Sequence, residues 1–309
     1  MSLGITQIET LLNMYLPPST AAERARWVVE DMAAIGFRLE LSSERPAGFW
    51  EEHGVLPQAE YVLQETQFSI DAENSSDALA GSFLTVGNLL RLAQTVAIAR
   101  KWIPHLWPYE FQSRLLGIEH LNALNEIWWL KFWRGLVSVE RGLKANNAVP
   151  DFEWSLSIHD GVANCRVNLE VKRRPGNINN WFKHQRPSAP LRDLAKKFAP
   201  AGEDTANVAA MTVYFPLASD VWRRVCDWFE RQPNIHGVLI WTEGNRGIEP
   251  MLRLFKQERR WAEFLMAAPE PEDLKIAFYP LGTLCSKDEA PAFINDLAEA
   301  HMHSNFYLS

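Results

Sequence analysis

The segment NNAVPDFEWSLSIHDGVANCRVNLEVKRRP, residues 146–175, decides the fold of this chain. Two runs rich in β-forming residues flank His159-Asp160-Gly161, which is typical of a turn. Successive side chains of a strand point to opposite faces, so the three apolar residues Val167, Leu169 and Val171 share one face. The segment therefore predicts a β-hairpin with one apolar face and one charged face. The charged face of its second strand carries Arg166, Asn168, Glu170, Lys172 and Arg174.

The charged face brings together two carboxylates and a lysine. Asp151 begins the first run, and Glu153 shares its face. Glu170 and Lys172 are two residues apart on one strand, which places their Cα atoms about 7 Å apart. Pairing the strands about the His159–Gly161 turn places Asp151 near Glu170.

Such a trio has a specific chemical use. Two carboxylates hold Mg²⁺, a hard cation that takes oxygen ligands and keeps several waters. The metal acidifies a bound water and offsets charge on a phosphate oxygen, while a lysine orients or helps to deprotonate that water. The trio therefore predicts metal-assisted phosphodiester hydrolysis. The alternative is a solvated sheet face, on which an ion pair of Lys172 contributes only ~0–1 kcal/mol.

The order of elements around the hairpin indicates an α/β fold with a mixed central sheet flanked by helices. A helical stretch over 109–144 precedes the hairpin, and a basic segment broken by prolines follows it. Helices and strands then alternate: helix 191–198, strand 207–215, helix 219–232 and strand 236–244.

Pro150-Asp151, followed after 18 residues by Glu170-Val171-Lys172, resembles the PD-(D/E)xK nuclease superfamily, which has the restriction-endonuclease-like fold. The resemblance covers about residues 109–244. It implies a Mg- or Mn-dependent nuclease, with DNA favoured over RNA as the partner. It implies that Asp151 and Glu170 bind the metal, that Val171 lends its carbonyl oxygen, and that Lys172 serves the attacking water.

The resemblance leaves three further points open. Family members often carry an acidic residue on the helix before the hairpin, for which Glu126 is the candidate and Glu119 the alternative. Many nucleases of this fold act as homodimers. Inactive descendants also exist, so the alternative function is a nucleic-acid-binding or protein-interaction module of immunity-like or regulatory type.

A cationic region adjoins the predicted metal site. Residues 166–197 contain nine Lys or Arg against two acids, in a chain whose net charge is −7. A basic region in an acidic protein suits a phosphate backbone. The residues that we expect to contact nucleic acid are Arg166, Arg173, Arg174, Lys183 and Arg186.

The remainder of the 309 residues predicts two flanking regions. Residues 1–105 read as a mostly helical domain, residues 106–265 as the nuclease-like domain, and residues 266–309 as a strand-helix extension. Tryptophans 128, 129 and 133 are expected in a core. The N-terminal residues lack a leader pattern and no apolar run reaches ~20 residues, which predicts a cytoplasmic protein that does not enter a membrane.

Overall fold

The structure is a computed structural model, and the chain divides in it into two compact units. The first comprises residues 1–128 with 270–309, and the second comprises residues 129–269. The structure describes residues 4–13, 15–34, 37–41, 68–72, 83–84, 86–106, 114, 120–142, 153–174, 182–183, 186–187, 189–214, 219–243 and 250–278. Asp151 and His301 therefore lie outside the described residues.

The first unit is mainly helical in the described part, in keeping with the apolar periodicity of its sequence. Its helices bury one face each, for example through Ile8 and Leu12 or through Val28 and Met32. The helices before the second unit are α1 (Ile5–Leu12), α2 (Pro18–Ala34), α3 (Val86–Trp102) and α4 (His120–Trp128). No helix in the described ranges is long and apolar enough to cross a membrane.

A small antiparallel sheet accompanies these helices, which the sequence reading of a mostly helical region does not include. Its strands are β1 (Phe37–Leu41), β2 (Phe68–Ala72) and β3 (Phe83–Leu84), in the order β1-β2-β3. Leu39 pairs with Ile70, so alternating apolar residues of both strands come into register. These strands are only two to five residues long, so their pairing identifies them better than the sequence pattern does.

The second unit is built on a six-stranded mixed sheet, which confirms the predicted α/β class with helices flanking a mixed sheet. Its strands are β4 (Leu136–Arg141), β5 (Trp154–His159), β6 (Asn164–Arg174), β9 (Thr205–Tyr214), β10 (Gly237–Glu243) and β11 (Met251–Phe255). They lie in the order β11-β10-β9-β6-β5-β4. The neighbours β6, β9 and β10 are parallel, and the outer pairs are antiparallel.

The remaining elements of the second unit connect these strands. A two-stranded hairpin, β7 (Phe182–Lys183) and β8 (Arg186–Pro187), lies within the basic segment. Helix α5 (Ala189–Ala195) leads into β9, and helix α6 (Ser219–Glu230) leads into β10. A short helix α7 (Arg260–Phe264) follows β11. The alternation of helix and strand from α5 to β10 matches the predicted order.

The two faces of the sheet have different coverings. On one face a 3₁₀ turn over Trp129–Phe132 packs against the strands, and Trp129 Nε1 donates a hydrogen bond to Thr212 Oγ1 over 3.0 Å. On the other face α5 and α6 bury a cluster with β9 and β10 that includes Leu194, Met211 and Trp228. Trp128 and Trp129 are fully buried and Trp133 is 5% exposed, which confirms their predicted place in a core.

The predicted helical stretch over 109–144 is wrong at its C-terminal end, where β4 forms instead. Gly135 has a φ of 65°, a left-handed conformation that ends the preceding helical turns. Leu136 and Val139 are then buried at 9% and 4%, while Val137 is 62% exposed. β4 pairs antiparallel with β5, so it supplies the first of three consecutive antiparallel strands.

The hairpin over β5 and β6 is confirmed, but its register differs from our pairing by two residues. Trp154 lies opposite Leu169, and His159 opposite Asn164. The turn consists of Asp160–Ala163, because Asp160 Oδ1 accepts hydrogen bonds of 2.8 Å from the backbone nitrogens of Val162 and Ala163. The turn is therefore centred one residue later than His159–Gly161 suggests.

The C-terminal strand predicted near residue 275 is also wrong, because helix α8 (Pro271–Phe278) occupies that stretch. Proline is favoured in the first turn of a helix, and Asp273 Oδ2 accepts a 2.8 Å hydrogen bond from Glu270 N just before it. Ile276 is fully buried and α8 packs on α3, which places the helix in the first unit.

Candidate functional site

Glu170 lies at the centre of the charged face of β6. The strand alternates as its sequence predicts, and Val167, Leu169 and Val171 are buried on the opposite face. Glu170 belongs to the face that α5 and α6 cover, since its partner on β9 is Ala209 in their cluster. Its side chain is only 1% exposed. Glu170 is therefore a buried carboxylate in the middle of the sheet. On a solvated sheet face its side chain would be exposed.

Two lysines approach this carboxylate. Lys172 Nζ lies 2.6 Å from Glu170 Oε1, and Lys197 Nζ lies 4.0 Å from the same oxygen. Their side chains are 31% and 28% exposed, so each ammonium connects the buried carboxylate to solvent. Lys172 Nζ is at charge-assisted hydrogen-bonding distance from Oε1, although the angles of this contact are poor. Within the described part of the chain, no donor of good geometry reaches either oxygen of Glu170.

The pKa of the Glu170 carboxyl is raised above its ordinary value of 4.5. Burial is the main cause, because removing water disfavours the charged form. The ammonium groups of Lys172 and Lys197 lower this pKa without cancelling the burial, and the Glu153 carboxylate raises it further. An additional positive charge near Glu170 would therefore stabilise its ionised form. Carboxyl groups with shifted pKa values are frequent at functional sites.

Glu153 is the second acid that the described residues bring to this face. It precedes Trp154, the partner of Leu169, and therefore lies beside Glu170 across the hairpin. Its Oε1 accepts a charge-assisted hydrogen bond from Arg141 at the end of β4. Arg141 in turn stacks on Trp154, with its guanidinium carbon 4.3 Å from the ring centroid. The Glu153 carboxylate is therefore already neutralised by an ion pair with Arg141.

Glu126, the predicted acidic residue of the preceding helix, lies on α4 in the first unit and is 6% exposed. Its two carboxylate oxygens accept hydrogen bonds of 2.5 and 2.6 Å from the Arg114 guanidinium. This bidentate ion pair would have to open before Glu126 could bind a metal. Asp151 and Glu119 lie outside the described residues, so their roles stay predictions.

The predicted nucleic-acid contacts fall on two elements. Arg166, Arg173 and Arg174 belong to β6, where Arg166 is exposed and Arg173 is half-buried. Lys183 and Arg186 are paired in the backbone register of the hairpin β7-β8. The basic residues are therefore split between the site strand and the hairpin that follows it.

Lys197 is a member of the site that the sequence reading missed. Its sequence position indicates only membership of the basic region, because Lys197 lies 27 positions after Glu170. The turn after α5 brings it back, since Leu191, Leu194 and Phe198 pack into the sheet cluster and leave Lys197 beside Glu170. Apolar spacing in 191–198 was the available signal for this packing.

A polar network supports the neighbouring part of the same face. Asn168 Nδ2 donates to Asn207 Oδ1 over 2.8 Å, and Asn207 Nδ2 donates to the carbonyl oxygens of Ala199 and Asn234. His236 Nδ1 accepts from Asn207 N over 3.0 Å, and burial lowers the pKa of this imidazole. A neutral His236 thus fixes β9 beneath Asn168.

The described residues contain no group of three or more His, Cys, Asp or Glu placed to hold a metal ion. Within these residues Glu170 is the buried carboxylate with incomplete hydrogen bonding, and Lys172 and Lys197 are its cationic neighbours. Comparison with known proteins gives no match to a family model, to a curated protein or to a solved structure. The α/β class rests on the sheet itself.

Proposed function

We propose that this protein is a metal-dependent nuclease that hydrolyses phosphodiester bonds, with DNA favoured over RNA. The observation that carries the proposal is the buried Glu170 carboxylate, with Lys172 2.6 Å away on the same strand. A buried carboxylate with a raised pKa and an adjacent amine is costly to keep without a function.

The residues present fit a hard divalent cation. Both Glu170 oxygens are buried without a hydrogen bond of good geometry, and carboxylate oxygens are the ligands that Mg²⁺ and Mn²⁺ prefer. Glu170 would hold the ion together with Asp151 and the carbonyl oxygen of Val171, as the resemblance implies. When bound, the ion supplies an acidified water and neutralises charge on the phosphate.

The chain's own residues have distinct roles in this proposal. Lys172 Nζ orients the attacking water by donating hydrogen bonds to it, because its side chain is 31% exposed while its ammonium stays 2.6 Å from Glu170. Lys197 Nζ, 4.0 Å from Glu170, offsets negative charge that builds up on the phosphate. Arg166 and Arg173 position the phosphate backbone without reading its sequence.

The order of elements supports the resemblance to the PD-(D/E)xK nucleases. A helical segment, strand β4, the antiparallel hairpin β5-β6 that carries the E-x-K residues, helix α5 and strand β9 follow in this order between residues 120 and 214. β6 and β9 are parallel neighbours, so the helix between them crosses over one face of the sheet. The site then lies where that crossover returns to the sheet.

A second candidate is a catalytically inactive module of the same fold that binds nucleic acid or protein. The observation that favours it is the burial of Glu170, whose side chain is 1% exposed and already faces two ammonium groups. In that function the carboxylate neutralises the lysines and holds the end of α5 against β6. A site of this kind binds without hydrolysis.

One experiment separates the two candidates. Supercoiled plasmid, linear duplex and single-stranded substrates are incubated with the protein in Mg²⁺, Mn²⁺ or EDTA. The nuclease proposal expects metal-dependent cleavage that Asp151→Ala, Glu170→Gln and Lys172→Ala each reduce at least a hundredfold. Binding of the same substrates without cleavage would favour the inactive module.

Matched variants make the outcome specific. Lys196→Ala removes a lysine of the same basic region whose side chain is 78% exposed, so it should leave cleavage within about twofold of wild type. Lys197→Ala should reduce cleavage without abolishing it, because Lys172 remains. Cleavage that survives both Asp151→Ala and Lys172→Ala would contradict the proposed mechanism.

A further inference from the structure

A cavity of about 350 Å³ lies on the same sheet face as Glu170, within the second unit. Glu140 on β4 pairs with Ser155 on β5, Ser155 pairs with Asn168 on β6, and these three residues line it in one row. Asn168 and Glu170 are two residues apart on β6, so their Cα atoms lie about 7 Å apart. The cavity therefore adjoins the proposed catalytic group. Arg166, Gly202 and Thr205 also line it.

The cavity has a cationic end and an anionic end. Arg166 and Glu140 are both exposed, and neither forms an ion pair or side-chain hydrogen bond with another residue of the chain parts that the structure describes. Between them lie the hydroxyl of Ser155 and the amide of Asn168, both uncharged. A ligand that matches this lining carries negative charge at one end and hydrogen-bond donors at the other.

The floor of the cavity is held in place before any ligand binds. Asn168 is fixed by Asn207, which is itself held by Ala199, Asn234 and His236. Arg259 Nε donates to Thr205 O over 3.0 Å and its Nη2 donates to Gly202 O over 3.1 Å. A preorganised polar floor lowers the ordering cost of binding.

We propose that this cavity binds one unstacked nucleotide beside the phosphodiester that is cleaved, and that it prefers a base with an exocyclic amino group. The inference rests on the proposed function, since nuclease action makes a nucleotide the neighbour of Glu170. The volume is at the lower end of ligand pockets, which suits one nucleotide and not a duplex. A pocket can enclose a base only after that base leaves the stack.

Each end of the cavity has one partner on the nucleotide. The Arg166 guanidinium donates to phosphate oxygens in charge-assisted hydrogen bonds, which position the nucleotide without reading it. The Glu140 carboxylate accepts hydrogen bonds from an amino group, which cytosine, adenine and guanine carry and thymine lacks. The cavity therefore discriminates against thymine.

Calorimetric titration of the full chain with the four deoxynucleoside monophosphates in EDTA tests this inference without a metal. We expect dCMP, dAMP and dGMP to bind about tenfold more tightly than dTMP. Arg166→Ala should weaken binding of all four about tenfold. Glu140→Gln should reduce the preference over dTMP to twofold or less, because an amide also donates to the thymine oxygen. Both residues are exposed, so both variants should keep the wild-type circular dichroism spectrum.

Arg223→Ala is the matched control, since Arg223 is an exposed arginine on α6 that does not line the cavity. It should bind all four nucleotides as wild type does. Equal affinity for the four nucleotides, no binding, or the same loss in Arg223→Ala would overturn the inference. Cleavage of DNA without nucleotide binding overturns the cavity's role alone. Binding without cleavage supports the cavity and overturns the nuclease proposal.

Discussion

The fold buries the carboxyl group of Glu170 and thereby disfavours its ionised form. Burial raises its pKa above 4.5, so the folded protein binds this proton more tightly than the unfolded chain does. The stability that this group contributes is therefore fully present below the ordinary pKa and is lost as the pH rises through the raised one. Stability is thereby linked to the same carboxylate that we propose as a metal ligand.

Replacing Glu170 by glutamine tests this linkage. A neutral amide of the same size removes the cost of the buried charge, so we expect Glu170→Gln to unfold at higher urea than wild type at pH 7. The gain should be roughly 1–3 kcal/mol, the cost of a buried group with incomplete hydrogen bonding. It should disappear near pH 4, where wild type is protonated. Urea unfolding followed by tryptophan fluorescence from pH 4 to pH 8 measures it.

Glu203→Gln is the control for this titration, since Glu203 is exposed in the same unit. Its unfolding free energy should follow that of wild type within about 0.5 kcal/mol at every pH. A gain for Glu170→Gln that does not change with pH would show that the raised pKa is not its cause.

Asn207 is the most connected polar side chain of the site's surroundings. It is 1% exposed, and its amide group joins Asn168, Ala199 and Asn234. Asn207→Ala leaves the carbonyl oxygens of Ala199 and Asn234 and the amide of Asn168 without this partner, so we expect a loss of about 2–4 kcal/mol in unfolding free energy. Asn164→Ala, at the exposed end of the hairpin, should cost less than about 1 kcal/mol in the same urea titration.

Glu170 and Lys172 of β6 are predictable from the sequence, because the period of a strand places them on one face without any knowledge of the fold. Lys197 is not, since its approach to Glu170 depends on how α5 packs. The ion pair of Glu126 with Arg114 likewise depends on a guanidinium 12 residues away in the chain. Periodicity predicts the face of a strand or helix on which a side chain lies. Which side chain of another element it contacts depends on how the elements pack.

Gly135 and Gly161 both have a positive φ, but the space around them differs. Gly135, before β4, has a φ of 65°, and a Cβ there would lie 2.2 Å from the His159 carbonyl oxygen. Gly161, in the turn, has a φ of 99°, and a Cβ there would meet nothing within 4 Å. Both conformations are left-handed, so the two positions differ mainly in the space around them.

We therefore expect Gly135→Ala to destabilise the protein far more than Gly161→Ala does. Gly161→Ala should cost about 1–2 kcal/mol, the penalty of a left-handed conformation. Gly135→Ala adds a clash with the backbone of β5 and should cost at least about 2 kcal/mol more. Urea unfolding of the two variants measures the difference, and equal losses would contradict the close approach of Gly135 to β5.

The strands that the sequence reading missed or shifted have local causes. Residues 136–141 continue a helical stretch in sequence, and the break at Gly135 needs a left-handed φ that letters alone do not reveal. The hairpin's register depends on Asp160, whose carboxylate makes the turn one residue later than expected. The extension over 266–309 is expected to begin with a strand, yet Pro271 begins helix α8. In each case one turn or cap residue decides the boundary.

The chain comprises two units, of which one is continuous in sequence and the other combines both ends of the chain. The second unit has a continuous core within residues 129–269, from Leu191 to Ile240. The first needs residues from both ends of the chain, because α8 packs on α3 and buries Ile276 completely. The domain boundaries expected at 105 and 265 thus differ from the divisions at 128 and 269.

Fragments of the chain test this division. Residues 129–269 expressed alone should show native-like circular dichroism and a cooperative thermal transition, because the sheet and its apolar cluster are complete within them. Residues 1–128 alone should bind a hydrophobic dye and melt without cooperativity, since α3 lacks its cover. Adding residues 270–309 as a peptide should restore a cooperative transition. A cooperative transition of 1–128 alone would contradict the role of α8.

The alternation of β5 and β6 has a consequence for how this protein can change. Leu156, Val167 and Leu169 stabilise the sheet from one face, while Ser155 and Arg166 line the cavity on the other. Because neighbouring positions on one strand serve separate purposes, a library randomised at Ser155 and Arg166 would consist mostly of folded proteins. Selection could then change the ligand preference of the cavity through single substitutions that leave the fold unchanged.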